Sequence, residues 1–201
     1  MVPPSPLDAY GLSFIDVSSK TDTDRKMLLK SEDCLRVIEQ AKRQGMKPLG
    51  AHSGGATQGV ESIRTAAGSI LESNEETAWI YNEIQSVIRK VLKNFWPFEV
   101  TGMQPLQIMR YSEGNKYAPH IDIGPRDGAF RKLSFTLQLS AAEEYEGGEL
   151  AIHADGEWKI ATKEQGSYSI FPSYILHEVR PVLSGQRWAL VGWFIGDKPF
   201  K

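Results

Sequence analysis

From about residue 104 the hydrophobic pattern of the chain changes period, and this limits its fold more than any other feature. The segments LQIMRY (106–111), LSFTLQL (133–139), ELAIH (149–153), EWKIA (157–161), SYSIF (167–171), HEVRPV (177–182) and WALVGWF (188–194) read as short, largely alternating strands. A period of two belongs to β structure, where successive side chains point to opposite faces. Turn pairs separate the segments: Gly147-Gly148, Asp155-Gly156, Gln165-Gly166 and Ser184-Gly185. Short strands in close succession, with no helical stretch between them, predict a β sandwich or barrel.

The upstream region has the helical period. Ser31 is expected to cap a helix with Glu32 and Asp33 in its first turn. Leu35, Ile38 and Ala41 would form its buried face and Gly45 its end. A second helix is expected to start near Ser73, where Ser73 and Glu76 have capping-box spacing. Ile80, Ile84, Val87, Ile88, Val91, Leu92 and Phe95 then recur at three- and four-residue steps, and Pro97 stops the run. Its apolar face needs a sheet to cover. Before these helices we expect at most one strand, around Phe14 and Ile15, and GAHSGGATQG (50–59) reads as a flexible loop. The organisation expected is one domain over 1–201: an extension over 1–60, helical support over 60–100 and a β core over 101–200. The chain is thus mainly β with N-terminal helices.

Composition bears on the possible partners. With 41% hydrophobic residues in 201, a full core is available. A net charge of −2 and no basic tract argue against duplex nucleic acid or a membrane surface as the main partner. No apolar run is long enough for a membrane span, and MVPPSPLDAY has no signal-peptide pattern, so a cytoplasmic location is expected. The single cysteine, Cys34, forms no intrachain disulfide and is read as a core residue. No feature requires a dimer, so a monomer or weak homodimer is expected.

The chemistry centres on the stretch KYAPHIDIG. His120 and Asp122 stand two apart, so on a strand both would face one metal ion. His177 opens a later strand and can complete the set. Two histidines and a carboxylate occupy one face of an octahedral ion and leave the other open, which suits non-haem Fe(II). Taken alone, a His-x-Asp pair is more often a loop histidine beside an acid. Arg187 follows ten residues after His177 and shares strand parity with Ala189, Val191 and Trp193. A guanidinium among apolar side chains is costly unless it meets an anion, and it can grip a carboxylate with two parallel hydrogen bonds. The bland alternative is an exposed arginine at a strand start. On LSFTLQL, Leu133, Phe135, Leu137 and Leu139 share one face and Ser134, Thr136 and Gln138 the other. The polar face would meet either solvent, the commoner case, or a polar barrel interior.

Several residues have ordinary readings. His52 and His153 read as exposed, and Trp79, Trp96 and Trp158 as packing residues. Arg126 and Arg131 follow the His-x-Asp pair and are read as surface charge unless they meet substrate. Tyr117 is read as core or as a substrate wall.

The segments RYSEGNKYAPHID, RKLSFTLQLS, EYEGGEL, FPSYILHEVRPV and GQRWALVGWF resemble, in order, the Fe(II)/2-oxoglutarate-dependent dioxygenases, above all the prolyl-4-hydroxylase-like branch with its bacterial and phage members. The resemblance covers roughly residues 60–200. It implies a double-stranded β-helix, a form of jelly roll, with helices packed on one sheet. It implies Fe(II) held by His120, Asp122 and His177, and 2-oxoglutarate whose distal carboxylate pairs with Arg187. Tyr111 matches a tyrosine of the co-substrate pocket, and Leu150, Val191 and Trp193 match its walls. Thr136 lies on the same polar face by parity. Gln138 stands where relatives carry a tyrosine that contacts the distal carboxylate. The implied substrate-side residues are Tyr117, Arg126 and Arg131. The implied reaction hydroxylates a C–H bond of a peptidyl residue or free amino acid while 2-oxoglutarate and O₂ become succinate and CO₂, with ascorbate as a candidate reductant. Two other readings stay open: the same chemistry on a nucleobase or other small molecule, and a non-catalytic jelly-roll binding or virion module with a vestigial metal site.

Overall fold

The computed structural model describes residues 14–18, 27–49 and 63–200. The loop read over 50–59, with His52, lies outside the described residues. The chain runs β1 (Ile15–Val17), α1 (Ser31–Gln44), β2 (Lys47–Pro48), β3 (Ala67–Leu71), α2 (Ala78–Asn94), β4 (Gly102–Met103), β5 (Leu106–Ser112) and β6 (Tyr117–His120). A short 3-10 helix (Arg126–Phe130) leads to β7 (Arg131–Gln138), and a second one to β8 (Tyr145–Gly147). Then come β9 (Leu150–Ala154), β10 (Glu157–Ile160), β11 (Tyr168–Pro172), β12 (His177–Val179) and β13 (Val182–Ile195).

Two antiparallel sheets result. The major sheet is ordered β1-β11-β7-β13-β5-β3-β2, with β4 and β8 also pairing β13. The minor sheet is ordered β10-β9-β12-β6. With helices on one face of the major sheet, this is the double-stranded β-helix the sequence resemblance implied. Among the described residues, no helix is long and apolar enough to cross a membrane.

The period-two segments become β5, β7 and β9 to β13, and the leucine face of β7 shows what drives them together. Leu133, Leu137 and Leu139 are fully buried and Phe135 nearly so, in one cluster with Ile80, Ile84 and Ile88 of α2 and Cys34, Val37, Ile38 and Ala41 of α1. Each such side chain contributes roughly 1.5–3 kcal/mol by leaving water. The opposite face of β7 does not meet solvent: Ser134 and Gln138 are buried between the sheets.

Local details depart from the sequence reading. The residue preceding α1 is Lys30, whose carbonyl accepts from the Asp33 and Cys34 N–H groups, and Ser31 makes no side-chain cap. Leu35 is 51% exposed, because the buried stripe centres on Cys34, Val37, Ile38 and Ala41. Before α2 the reciprocal pair is Asn74 and Thr77: the Asn74 N–H donates to Thr77 Oγ1, and the Thr77 N–H to Asn74 Oδ1. That is one residue later than the Ser73–Glu76 box. Asp155 and Gly156, both at positive φ, make the β9–β10 hairpin turn. Ser184-Gly185 is no turn. β13 runs straight through it with a register shift against β8. Gly185 takes a φ of 75° there, and a Cβ would come within 2.1 Å of the Glu144 carbonyl oxygen. Trp158 is not packed away but 36% exposed, edge-on to His153, which is itself half-buried rather than exposed.

Candidate metal centre

The register of the minor sheet builds most of the centre. β12 lies antiparallel to β6 with His177 directly opposite His120. The two imidazoles are neighbours, with ring centroids 4.1 Å apart. Asp122 is not on the same strand. β6 ends at His120, and the chain bends so that the Asp122 N–H donates to the Ser173 carbonyl at 2.9 Å. The bend still brings its carboxylate to both rings: Oδ1 is 3.7 Å from His120 Nε2, and Oδ2 is 3.5 Å from His177 Nε2. All three candidate ligand atoms lie within 4.8 Å of one another.

The donor chemistry fits a divalent ion. Each histidine uses Nδ1 on a carbonyl two residues back: Ala118 at 2.8 Å for His120, and Ile175 at 2.9 Å for His177. A carbonyl accepts only, so Nδ1 carries the proton and Nε2 offers its lone pair to the common point. Burial, then repulsion from His177, lowers the His120 pKa to about 4, so this ring is neutral at pH 7. Burial raises the Asp122 pKa, but His177, His120 and hydrogen bonds from Ser134 and Trp193 outweigh it and hold the group below its usual value. Tyr117 stacks on His120 at 3.4 Å between centroids.

The cavity at this point is lined by Tyr111, Tyr117, Ser134, Thr136, Leu150, Val191 and Trp193 as well as the three ligands. Arg187 closes its inner end and is 3% exposed. It sits opposite Tyr111 in the β13–β5 register, with its guanidinium 5.7 Å from the Tyr111 ring. Its Nε donates to Gln138 Oε1 at 3.2 Å. Among the described residues no carboxylate is within ion-pair distance of it.

The residues read as substrate contacts divide. Arg131 lies with its guanidinium 3.7 Å above the Trp193 ring, and its Nη1 donates to the Asp122 carbonyl at 3.3 Å. Arg126 is exposed, at a φ of 57°, and shares none of these contacts. Sequence reasoning assigns no role to Ser134, Arg64 or Tyr145. Ser134 donates to Asp122 Oδ2 at 2.6 Å. Arg64 sits 4.9 Å from the Tyr117 ring, with its Nη2 on Met109 Sδ. The only sequence signal for Ser134 is its parity with Thr136 and Gln138, and for Tyr145 its place in EYEGGEL.

The chain is similar to known proteins. A model of the 2OG-Fe(II) oxygenase superfamily matches residues 106–195. A PKHD-type hydroxylase of Idiomarina loihiensis is 31% identical over 183 residues, covering 89% of this chain and 76% of the relative. A prolyl-4-hydroxylase of Pseudomonas putida has a similar structure, with a TM-score of 0.71 at 20% identity, covering 94% of this chain and 95% of that one. So does a prolyl hydroxylase of Trichoplax adhaerens solved with a hypoxia inducible factor peptide fragment, with a TM-score of 0.70 at 16% identity, covering 92% and 84%. At such identities the two structures speak for the fold alone.

Proposed function

Because this chain belongs to the 2OG-Fe(II) oxygenase superfamily, in its prolyl-4-hydroxylase-like branch, and is an oxidoreductase, we propose that it hydroxylates a C–H bond of a peptidyl proline or a similar amino-acid residue. The family implies Fe(II) and 2-oxoglutarate. When bound, they would supply oxidation by O₂ coupled to conversion of 2-oxoglutarate into succinate and CO₂. Ascorbate would serve as reductant.

The residues take the following roles in this reading. His120, Asp122 and His177 would hold the metal and leave its other face open. Arg187 would bind the distal carboxylate of the co-substrate with paired hydrogen bonds. Tyr111, Thr136, Leu150, Val191 and Trp193 would wall that pocket and keep water out. Tyr117 orients His120 by stacking, and Arg131 steadies the Asp122 bend. Tyr117 lines the cavity and would meet a substrate there, with Arg131 and the exposed Arg126 as candidate contacts outside that lining. No separate general base is needed.

The observation that carries this reading is a buried guanidinium with no carboxylate partner among the described residues, in the same cavity as three converging metal donors. Burying such a cation is costly unless an anion arrives to meet it. The substrate class is supported by the hydroxylase names of the relatives and by the peptide held by the Trichoplax adhaerens neighbour.

The first test is an anaerobic titration of metal-free protein with Fe(II) and 2-oxoglutarate, following the visible charge-transfer band of the chelate. His177→Ala and Arg187→Ala should both weaken it. With O₂ admitted, succinate should form, and proline-containing peptides should gain the mass of one oxygen atom. No metal binding and no band would refute the enzyme reading and favour a binding module. Succinate without peptide oxidation, but with oxidation of a nucleobase, would keep the chemistry and replace the substrate.

A further inference from the structure

The inner end of the cavity contains a group that the site described so far does not use. The family resemblance implies a tyrosine contact where this chain has Gln138, and an amide can donate the same bond. Its hydrogen bonds say otherwise. Gln138 Oε1 faces Arg187 Nε at 3.2 Å, which fixes the amide orientation, since only an oxygen can face a guanidinium donor. Its nitrogen is thereby turned to Tyr145, donating to the phenol oxygen at 3.0 Å. Both ends of the Gln138 amide are spent on protein partners.

Tyr145 is left with the opposite surplus. Its ring is buried, with 4% exposed, and its oxygen accepts from Gln138. The hydroxyl proton has no acceptor among the described residues. Burial pushes the phenol above its usual pKa although Arg187 pulls the other way, so the proton is present at neutral pH. A buried donor of this kind is costly unless something accepts from it.

The surroundings specify an anion. Tyr145, Gln138, Arg187, Thr136 and Lys163 line one small polar cavity, which shares Thr136, Leu150 and Arg187 with the cavity of the metal centre. Lys163 Nζ lies 4.1 Å from the Tyr145 ring centroid. Tyr145 reaches this place through backbone register, because it pairs with Gly185, two residues before Arg187 on β13. Gly148 allows the approach: a Cβ there would lie 3.4 Å from both Arg187 Cδ and Tyr145 Cδ2.

We propose that Tyr145 is a second anchor of the co-substrate's distal carboxylate, donating its hydroxyl proton beside Arg187, with Gln138 as the positioning residue that ties the two together. Tyr145 thus restores, from a different strand, the phenol that position 138 lacks. This inference rests on the 2-oxoglutarate reading above.

The test compares binding of two keto acids to the anaerobic Fe(II)-loaded protein by calorimetry. 2-Oxoglutarate carries the distal carboxylate and 2-oxobutyrate lacks it. Tyr145→Phe removes one oxygen and keeps the ring. It should weaken 2-oxoglutarate about tenfold or more, the range for a hydrogen bond to a charged group, and leave 2-oxobutyrate unchanged. Gln138→Leu should weaken 2-oxoglutarate less, and should add little to Tyr145→Phe in the double variant. Equal 2-oxoglutarate affinity in wild type and Tyr145→Phe would overturn the proposal while leaving the co-substrate reading intact. An equal loss for both keto acids would also overturn it, since Tyr145 would then act through packing. A wild type with no preference for 2-oxoglutarate would overturn both readings.

Discussion

Ser134 Oγ lies 2.6 Å from Asp122 Oδ2 and so ties the carboxylate of the minor-sheet centre to β7 of the major sheet. Ser173 Oγ is 3.0 Å from the same hydroxyl, so the serine is held in turn. This linkage matters because Asp122 sits beyond the end of β6, where strand pairing no longer fixes its direction.

Ser134→Ala should therefore loosen the centre without unfolding the chain. Loss of such an outer hydrogen bond costs about 10- to 100-fold in metal affinity. A Co(II) or Fe(II) titration of the variant measures this directly. An unchanged dissociation constant would mean that the backbone bond from Asp122 to Ser173 positions the carboxylate by itself.

The parts of this arrangement that were legible in the sequence are the local ones. The alternation of Leu133, Phe135, Leu137 and Leu139, and the three-four stepping of Ile80, Ile84 and Ile88, come from the geometry of a single element. His120, Asp122, His177 and Arg187 were legible as residue types at a spacing. Ala67–Leu71 was not, because a short strand with Gly68 and Ser69 in it has no strong alternation, and its pairing with β5 supplies the order. Gly185 does not mark a turn because a glycine at positive φ also serves inside a strand where the backbone passes close to a neighbour, here the Glu144 carbonyl. The meeting of Tyr145, Gln138 and Arg187 depends on the registers of β8, β7 and β13, and a register between distant segments leaves no trace in local pattern.

The metal-free protein should lose stability as pH falls through the window from about 6.5 to about 4. The folded His120 pKa is lowered from 6.5 to about 4, mainly by burial and then by His177. In that window the unfolded chain takes up a proton that the folded chain refuses, so unfolding gains with each step down in pH. The full effect is up to about 3 kcal/mol. Urea unfolding of the apoprotein at several pH values measures it, and His120→Gln should flatten the curve. A flat wild-type curve would show that this histidine is not held neutral.

Arg131 should not be replaceable by lysine. Its planar group stacks 3.7 Å over Trp193 while Nε donates to Gln104 Oε1 and Nη1 to the Asp122 carbonyl. A lysine ammonium cannot stack and donate in both directions at once. Arg131→Lys should cost about 1–2 kcal/mol of stability, read from urea denaturation, together with weaker metal binding as the Asp122 bend loosens. Stability equal to wild type would make this arginine a free surface charge.

Gly148 and Gly114 allow the cost of a strained backbone to be separated from the cost of a displaced site. Both have positive φ, 63° and 77°. At Gly114 an added Cβ meets nothing within 4 Å, so Gly114→Ala should cost only the conformational penalty, about 1 kcal/mol. At Gly148 the same methyl would lie 2.9 Å from Val182 Cγ2 and 3.4 Å from both Arg187 Cδ and Tyr145 Cδ2. Val182 is itself buried, so room can be made only by moving the strand that carries Arg187 or the ring of Tyr145. Gly148→Ala should then cost about 1–3 kcal/mol more than Gly114→Ala in denaturant. It should also weaken 2-oxoglutarate binding, which Gly114→Ala should leave alone. If the two alanines cost the same and neither changes 2-oxoglutarate affinity, the EYEGGEL segment does not set the spacing of the co-substrate end, and Tyr145 and Arg187 are positioned by their strands alone.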